Sequence, residues 1–92
     1  MNPIRDPRLF SSAPGFTTKQ GQYLAFIHAY TLVMGRPPAE ADLQRHFRVT
    51  PPSVHQMVLE LERRHLIRRT PRVARSIELL IPIESLPALE SP

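Results

Sequence analysis

Residues 36–79 read RPPAEADLQRHFRVTPPSVHQMVLELERRHLIRRTPRVARSIEL, and their order decides the fold. Ala39 to Phe47 carries a short amphipathic helix pattern that places Leu43 and Phe47 inward, with Val49 plugging the turn that follows. Thr50 is placed to cap a further helix running to His65, and Pro51 suits its first position because its φ is already helical and the amide hydrogen it lacks is unused there. Leu66 to Arg69 and Ser76 to Leu79 then read as two short strands around an arginine-rich turn. Helix, tight turn, helix and basic hairpin make a winged helix-turn-helix, and the expected fold class is mainly α with a small β-hairpin and three helices.

The first of those helices lies upstream. Thr17 with Gln20 forms a capping box, and Gly35 supplies a left-handed stop after Met34. Between them Tyr23, Phe26, Ile27, Tyr30, Val33 and Met34 recur at helical spacing and are expected to face the core, their aromatic rings serving as packing. Ala39 stands where a capping Ser or Thr is preferred, at a cost of about 1 kcal/mol that Glu40 and Asp42 partly offset at the positive end of the helix.

On the third helix Val54, Met57, Val58 and Leu61 gather on one side. Pro52, Gln56, Leu59 and Arg63 lie opposite, with Ser53 and His55 on the flanks. The outward polar residues near its N-terminus are therefore Ser53, His55 and Gln56, types that bond base edges in a major groove. A solvated helix face is the alternative account of them. Pro51 and Pro52 remove two amides that would otherwise grip a phosphate, so backbone anchoring is expected from side chains, with Arg48 and the wing arginines as substitutes.

Charge supports this direction. The net charge is +4, eleven of the twelve basic residues are Arg, six arginines and no acid fall between Arg63 and Arg75, and residues 76–92 hold three glutamates and no base. A local positive field of this kind suits phosphate. Arg68, Arg69, Arg72 and Arg75 are the candidate wing contacts, along phosphates or in a minor groove.

At 92 residues the chain supports one small core, divided on composition into a proline-containing arm at 1–15, a folded unit at 16–80 and a proline-broken apolar and acidic tail at 81–92. Six prolines outside residues 17–79 argue for extended or disordered ends, the arm reads as a frayed terminus more readily than as one whose Arg5 and Arg8 reach a phosphate backbone or minor groove, and the tail either packs back on the domain or joins a partner. The absence of cysteine argues against disulfides and thiolate zinc sites, and no apolar run approaches a membrane span. A cytoplasmic, nucleoid-associated setting is expected. His28, His46, His55 and His65 lack metal-ligand spacing, the three glycines make no phosphate cradle, and neither cofactor, metal, membrane nor small-molecule ligand is expected, nor an enzymatic activity.

Residues 16–80 resemble the N-terminal DNA-binding domain of LexA-type repressors. The likeness rests on the capped first helix, Gly35-Arg36-Pro37-Pro38, the Thr50-Pro51 helix start and the junction at His65 to Ile67. It implies a third helix in the major groove, base contacts at Thr50, Ser53, His55 and Gln56, and backbone contacts at Arg48 and the wing. Arg48, His65 and Arg72 occupy places where such domains commonly have Gly. Either these residues sit at positive φ, at roughly 1 kcal/mol or more each, or the turns differ. The base-facing residues depart from those of the family, so its operator does not transfer, and no second, self-cleaving domain is expected within this length.

The leading functional expectation is a sequence-preferring double-stranded DNA-binding transcriptional regulator, as a homodimer or with a larger protein partner. A winged-helix protein-interaction module is the alternative, favoured by Leu59 and the apolar tail. RNA or single-stranded binding is weakened by the lack of Trp.

Overall fold

The computed structural model describes residues 15–91. Arg5 and Arg8 of the arm lie outside the described residues.

Three helices precede a two-stranded wing: α1 (Thr18–Met34), α2 (Glu40–Phe47), α3 (Pro51–Arg63), β1 (Ile67–Arg68) and β2 (Glu78–Leu79), followed by a short 3-10 turn at Ile83–Ser85. The strands are antiparallel, with Ile67 opposite Leu79 and Arg68 opposite Glu78. This is a winged helix-turn-helix.

Each helix start follows from its local chemistry. Thr17 Oγ1 accepts the Gln20 amide (3.1 Å) while Gln20 Oε1 accepts the Thr17 amide (2.9 Å), so both halves of the capping box form. Ala39 caps α2 without a side-chain acceptor, yet Asp42 Oδ2 reaches back to its amide at 2.8 Å. Asp42 therefore supplies half of a capping box as well as a favourable charge.

The helix ends resolve the glycine question. Arg48, His65 and Arg72 all have left-handed backbone (φ 56, 60 and 66), as does Arg75 (φ 57). The turns are the glycine-type turns, with larger residues in them. Around His65 the amides of His65 and Leu66 bond to the carbonyls of Glu62 and Leu61 (3.0 Å each), a Schellman closure that stops α3 at Arg63, two residues before its expected end. Leu66 is thereby turned into the core, 6% exposed.

The core joins Tyr23, Leu24 and Ile27 of α1 to Leu43, Val54, Val58, Leu61, Leu66, Ile67 and Ile77. The Tyr23 and Phe47 rings stack in parallel with centroids 4.1 Å apart. Phe47 and Met57 are half-buried at its edge, and Val49 packs against it from the turn. Two expected core residues are corrected: Val33 and Met34 are 81% and 52% exposed. Periodicity gives the direction of a side chain, and the last turn of α1 projects beyond the elements that cover its earlier turns. Leu24, absent from the expected stripe, is fully buried.

The tail returns to the first helix. Residues 81–91 run back along α1, with Ile81 and Leu86 on the core, Gln22 Nε2 donating to the Ala88 carbonyl (2.9 Å) and the Glu90 amide donating to Gln22 Oε1 (2.8 Å). A Cβ at Gly21 would come within 2.8 Å of the Phe16 ring and 3.1 Å of Pro87, so glycine permits this close approach. Residues 81–91 thus pack back on the domain, while Ile83 and Leu89 stay exposed.

Candidate nucleic-acid interface

The outward face of α3 begins at its cap. Thr50 Oγ1 accepts the Ser53 amide at 3.4 Å, and the Val54 amide bonds to the Thr50 carbonyl at 3.1 Å. With Pro51 and Pro52 lacking amide hydrogens, the first four helical positions, 51–54, have their amides absent or engaged. The N-terminus of α3 thus has few main-chain donors to offer an anion, and a phosphate grip here falls mainly to side chains.

Ser53, His55 and Gln56 are all exposed, whereas Val54 and Val58 on the opposite side are fully buried. Ser53 and Gln56 side chains make no hydrogen bond among the described residues and are open to bond base edges. Leu59 is half-buried rather than outward, which weakens the partner-surface reading of it. His55 is tied: its Nδ1 lies 3.4 Å from both carboxylate oxygens of Glu40, in the first turn of α2. Thr50 is exposed, with its hydroxyl oxygen used as the cap.

The arginines divide into three kinds. Arg48 and Arg72 are exposed and make no ion pair among the described residues, as does Arg36, which the sequence pattern did not single out. Arg68 is exposed but pairs across the hairpin with Glu78 (Nε to Oε1 2.8 Å), and Arg63 and Arg64 pair with Glu60 on the same helix. Arg69 is turned inward, its side chain 18% exposed and its Nε 3.2 Å from Glu62.

Arg75 is engaged within the domain: its Nη1 donates to Tyr30 Oη (2.9 Å), Asp42 Oδ2 (3.0 Å) and the Pro37 carbonyl (3.3 Å). It joins the wing to α1, α2 and the link between them. Asp42 is 7% exposed and also pairs with Arg45. Burial works to raise the Asp42 pKa, but the Ala39 amide, Arg75, Tyr30 and Arg45 outweigh it and hold the carboxyl below its ordinary value. No sequence pattern exposed this cluster, because Arg75 and Asp42 are 33 residues apart and only the fold brings them together.

The wing turn is built on the same economy of contacts. Thr70 to Val73 closes with a 3.1 Å hydrogen bond from the Val73 amide to the Thr70 carbonyl. Pro71 followed by a left-handed Arg72 is the order of a type II turn, with arginine where glycine is preferred. Ser76 Oγ accepts the Thr70 amide at 2.9 Å and holds the base of the loop. The effect is a fixed stalk that carries Arg72 at its outer turn.

The chain is 39% identical over 70 residues to the LexA repressor of Thermosipho melanesiensis, covering 76% of this chain and 35% of that protein. It is 39% identical over 64 residues to the LexA repressor of Thermosipho africanus, covering 70% and 32%. The LexA repressor of Bartonella quintana matches at 35% over 65 residues, covering 70% and 27%. The chain is related to LexA repressors. It spans about a third of the length of the LexA repressors from the two Thermosipho species, so the relationship concerns one portion of those proteins. No protein-family model matches the chain. The LexA likeness expected for residues 16–80 is borne out at this level, together with the winged fold. Among the described residues no helix is long and apolar enough to cross a membrane, and no group of three or more His, Cys, Asp or Glu is placed to hold a metal ion.

Proposed function

We propose that this chain is a sequence-preferring double-stranded DNA-binding domain of a transcriptional regulator, of the repressor kind its relatives represent. The observation that carries the proposal is the exposed polar row Ser53, His55 and Gln56 on a helix whose opposite side buries Val54 and Val58, with Arg48 and Arg72 also exposed and making no ion pair among the described residues. In this reading α3 enters the major groove and Ser53, His55 and Gln56 bond base edges. Thr50 contributes its hydroxyl hydrogen while its oxygen stays in the cap. Arg48 and Arg72 hold phosphates, and Arg68 joins them by exchanging Glu78 for a phosphate. Arg69 and Arg75 hold the wing in place, Arg69 on Glu62 and Arg75 on Asp42.

The proposed domain is the folded unit 16–80 with the tail as its packed extension, acting in the cytoplasm on the nucleoid. It binds and does not catalyse, and needs no cofactor. A single module of this size buries little surface on DNA, so function as a homodimer on an inverted repeat, or within a larger assembly, is part of the proposal.

A protein-interaction role is the second reading. It is favoured by Leu32, Val33 and Met34, three consecutive apolar residues exposed by 71%, 81% and 52% at the end of α1.

Selection from a random-sequence duplex pool at two salt concentrations tests the two readings. Enrichment of one motif, lost in a Ser53→Ala, Gln56→Ala double variant, is the expected result, and two-fold symmetry in that motif would report a dimer. Salt-sensitive retention without a motif would reduce the site to a non-specific arginine patch. No retention at any salt would overturn the DNA reading and favour the interaction module.

A further inference from the structure

We propose that Glu40 is a positioning residue that sets base preference through His55. The inference rests on the DNA reading above and assigns a role to a residue on a different helix from the base-reading row.

His55 Nδ1 is 3.4 Å from Oε1 and 3.4 Å from Oε2 of Glu40, so the ring edge straddles the carboxylate. An ionised carboxylate only accepts hydrogen bonds, and the ring nitrogen facing it must therefore carry the hydrogen. With the Nδ1 position occupied, the neutral imidazole has its lone pair on Nε2. That nitrogen makes no hydrogen bond among the described residues, and the side chain is half exposed. Neutral His55 thus presents an acceptor, which selects a base edge offering an amino donor, adenine N6 or cytosine N4.

The surroundings leave Glu40 as the controlling group. On α3 the residues one turn either side of His55 are Pro51, Pro52, Val58 and Leu59, none of them titratable. From α2 the facing charge is Glu40, since Asp42 is buried against Arg75. From the wing, Arg69 and Arg72 line the cleft that Glu40 shares, and Arg69 is held by Glu62. Glutamine at position 40 would keep the shape of the side chain but both donate and accept, leaving the tautomer of His55 unset.

The test is the same duplex selection carried out at pH 8 on the wild-type chain, Glu40→Gln, His55→Ala and the double variant, with thermal unfolding confirming that each is folded. The wild-type chain is expected to prefer an amino base at one position. Glu40→Gln is expected to lower that preference about five- to tenfold, the lower part of the range for one base contact. In the His55→Ala background the same substitution should change nothing at that position. Two results would overturn the inference while leaving the DNA reading intact: a motif unchanged in Glu40→Gln, or an equal effect of Glu40→Gln with and without His55. Failure to enrich any motif would remove both.

Discussion

Arg72 and Arg75 stand three residues apart in the wing, share a left-handed backbone (φ 66 and 57) and do opposite things. Arg72 is exposed at the outer turn with no ion pair among the described residues, whereas Arg75 at the root is spent on Tyr30, Pro37 and Asp42. The difference teaches that an arginine-rich segment is a set of separate assignments. A buried carboxylate claims one guanidinium, surface glutamates neutralise others, and the remainder forms the positive field a phosphate would meet.

The comparison breaks most visibly at the root. Asp42→Ala removes both the acceptor of Arg75 and the back-bond to the Ala39 amide, and is expected to lower the unfolding free energy by about 2 kcal/mol in urea titration. An undiminished midpoint would show that the cluster is incidental. The depressed Asp42 pKa adds a sign. The stabilisation it represents is present above the unfolded carboxylate value, about 4, and is lost as pH falls through the lower folded value. Stability measured between pH 6 and pH 2 should therefore decline on the acid side, and Asp42→Asn should flatten that part of the decline.

The outer turn is expected to respond in binding instead. Arg72→Ala should leave the urea midpoint within a few tenths of a kcal/mol and reduce the salt dependence of duplex binding by about one counterion. Arg72→Gly sharpens the point by separating backbone from charge. Its salt dependence should match that of Arg72→Ala, while its stability rises by up to about 1 kcal/mol as the left-handed turn is relieved. A Gly variant less stable than the Ala variant would mean that the arginine side chain holds the turn.

Two tyrosines give the smallest contrast. Tyr30 Oη accepts Arg75, whereas Tyr23 Oη is buried with no hydrogen-bond partner among the described residues, and burial raises its pKa. Tyr30→Phe should cost about 1 kcal/mol in thermal unfolding, and Tyr23→Phe should cost nothing or stabilise slightly.

The difference between these residues also marks where the sequence was readable. Thr17, Gln20, Gly35, Thr50 and Pro51 act within a few residues of themselves, so caps and helix starts were legible, as was the buried stripe Val54, Val58 and Leu61. Arg48, His65 and Arg72 were legible as occupants of glycine places through family likeness, and their positive φ bears that out. Val33 and Met34 were misplaced, and Leu24 left out of the stripe, because burial depends on where neighbouring elements lie and end. The face carrying Ser53, His55 and Gln56 followed from periodicity alone, while the ties of His55 to Glu40 and of Arg75 to Asp42 did not.

By itself the sequence determined the order of the helices, their caps, the hairpin that follows them and the excess of arginine near it, because these depend on local backbone chemistry and composition. Only the tertiary structure decided which arginines remain free, which carboxylate faces His55 and what covers α1. Those outcomes depend on groups 15, 33 and 66 residues apart meeting in space, and no local preference encodes such a distance.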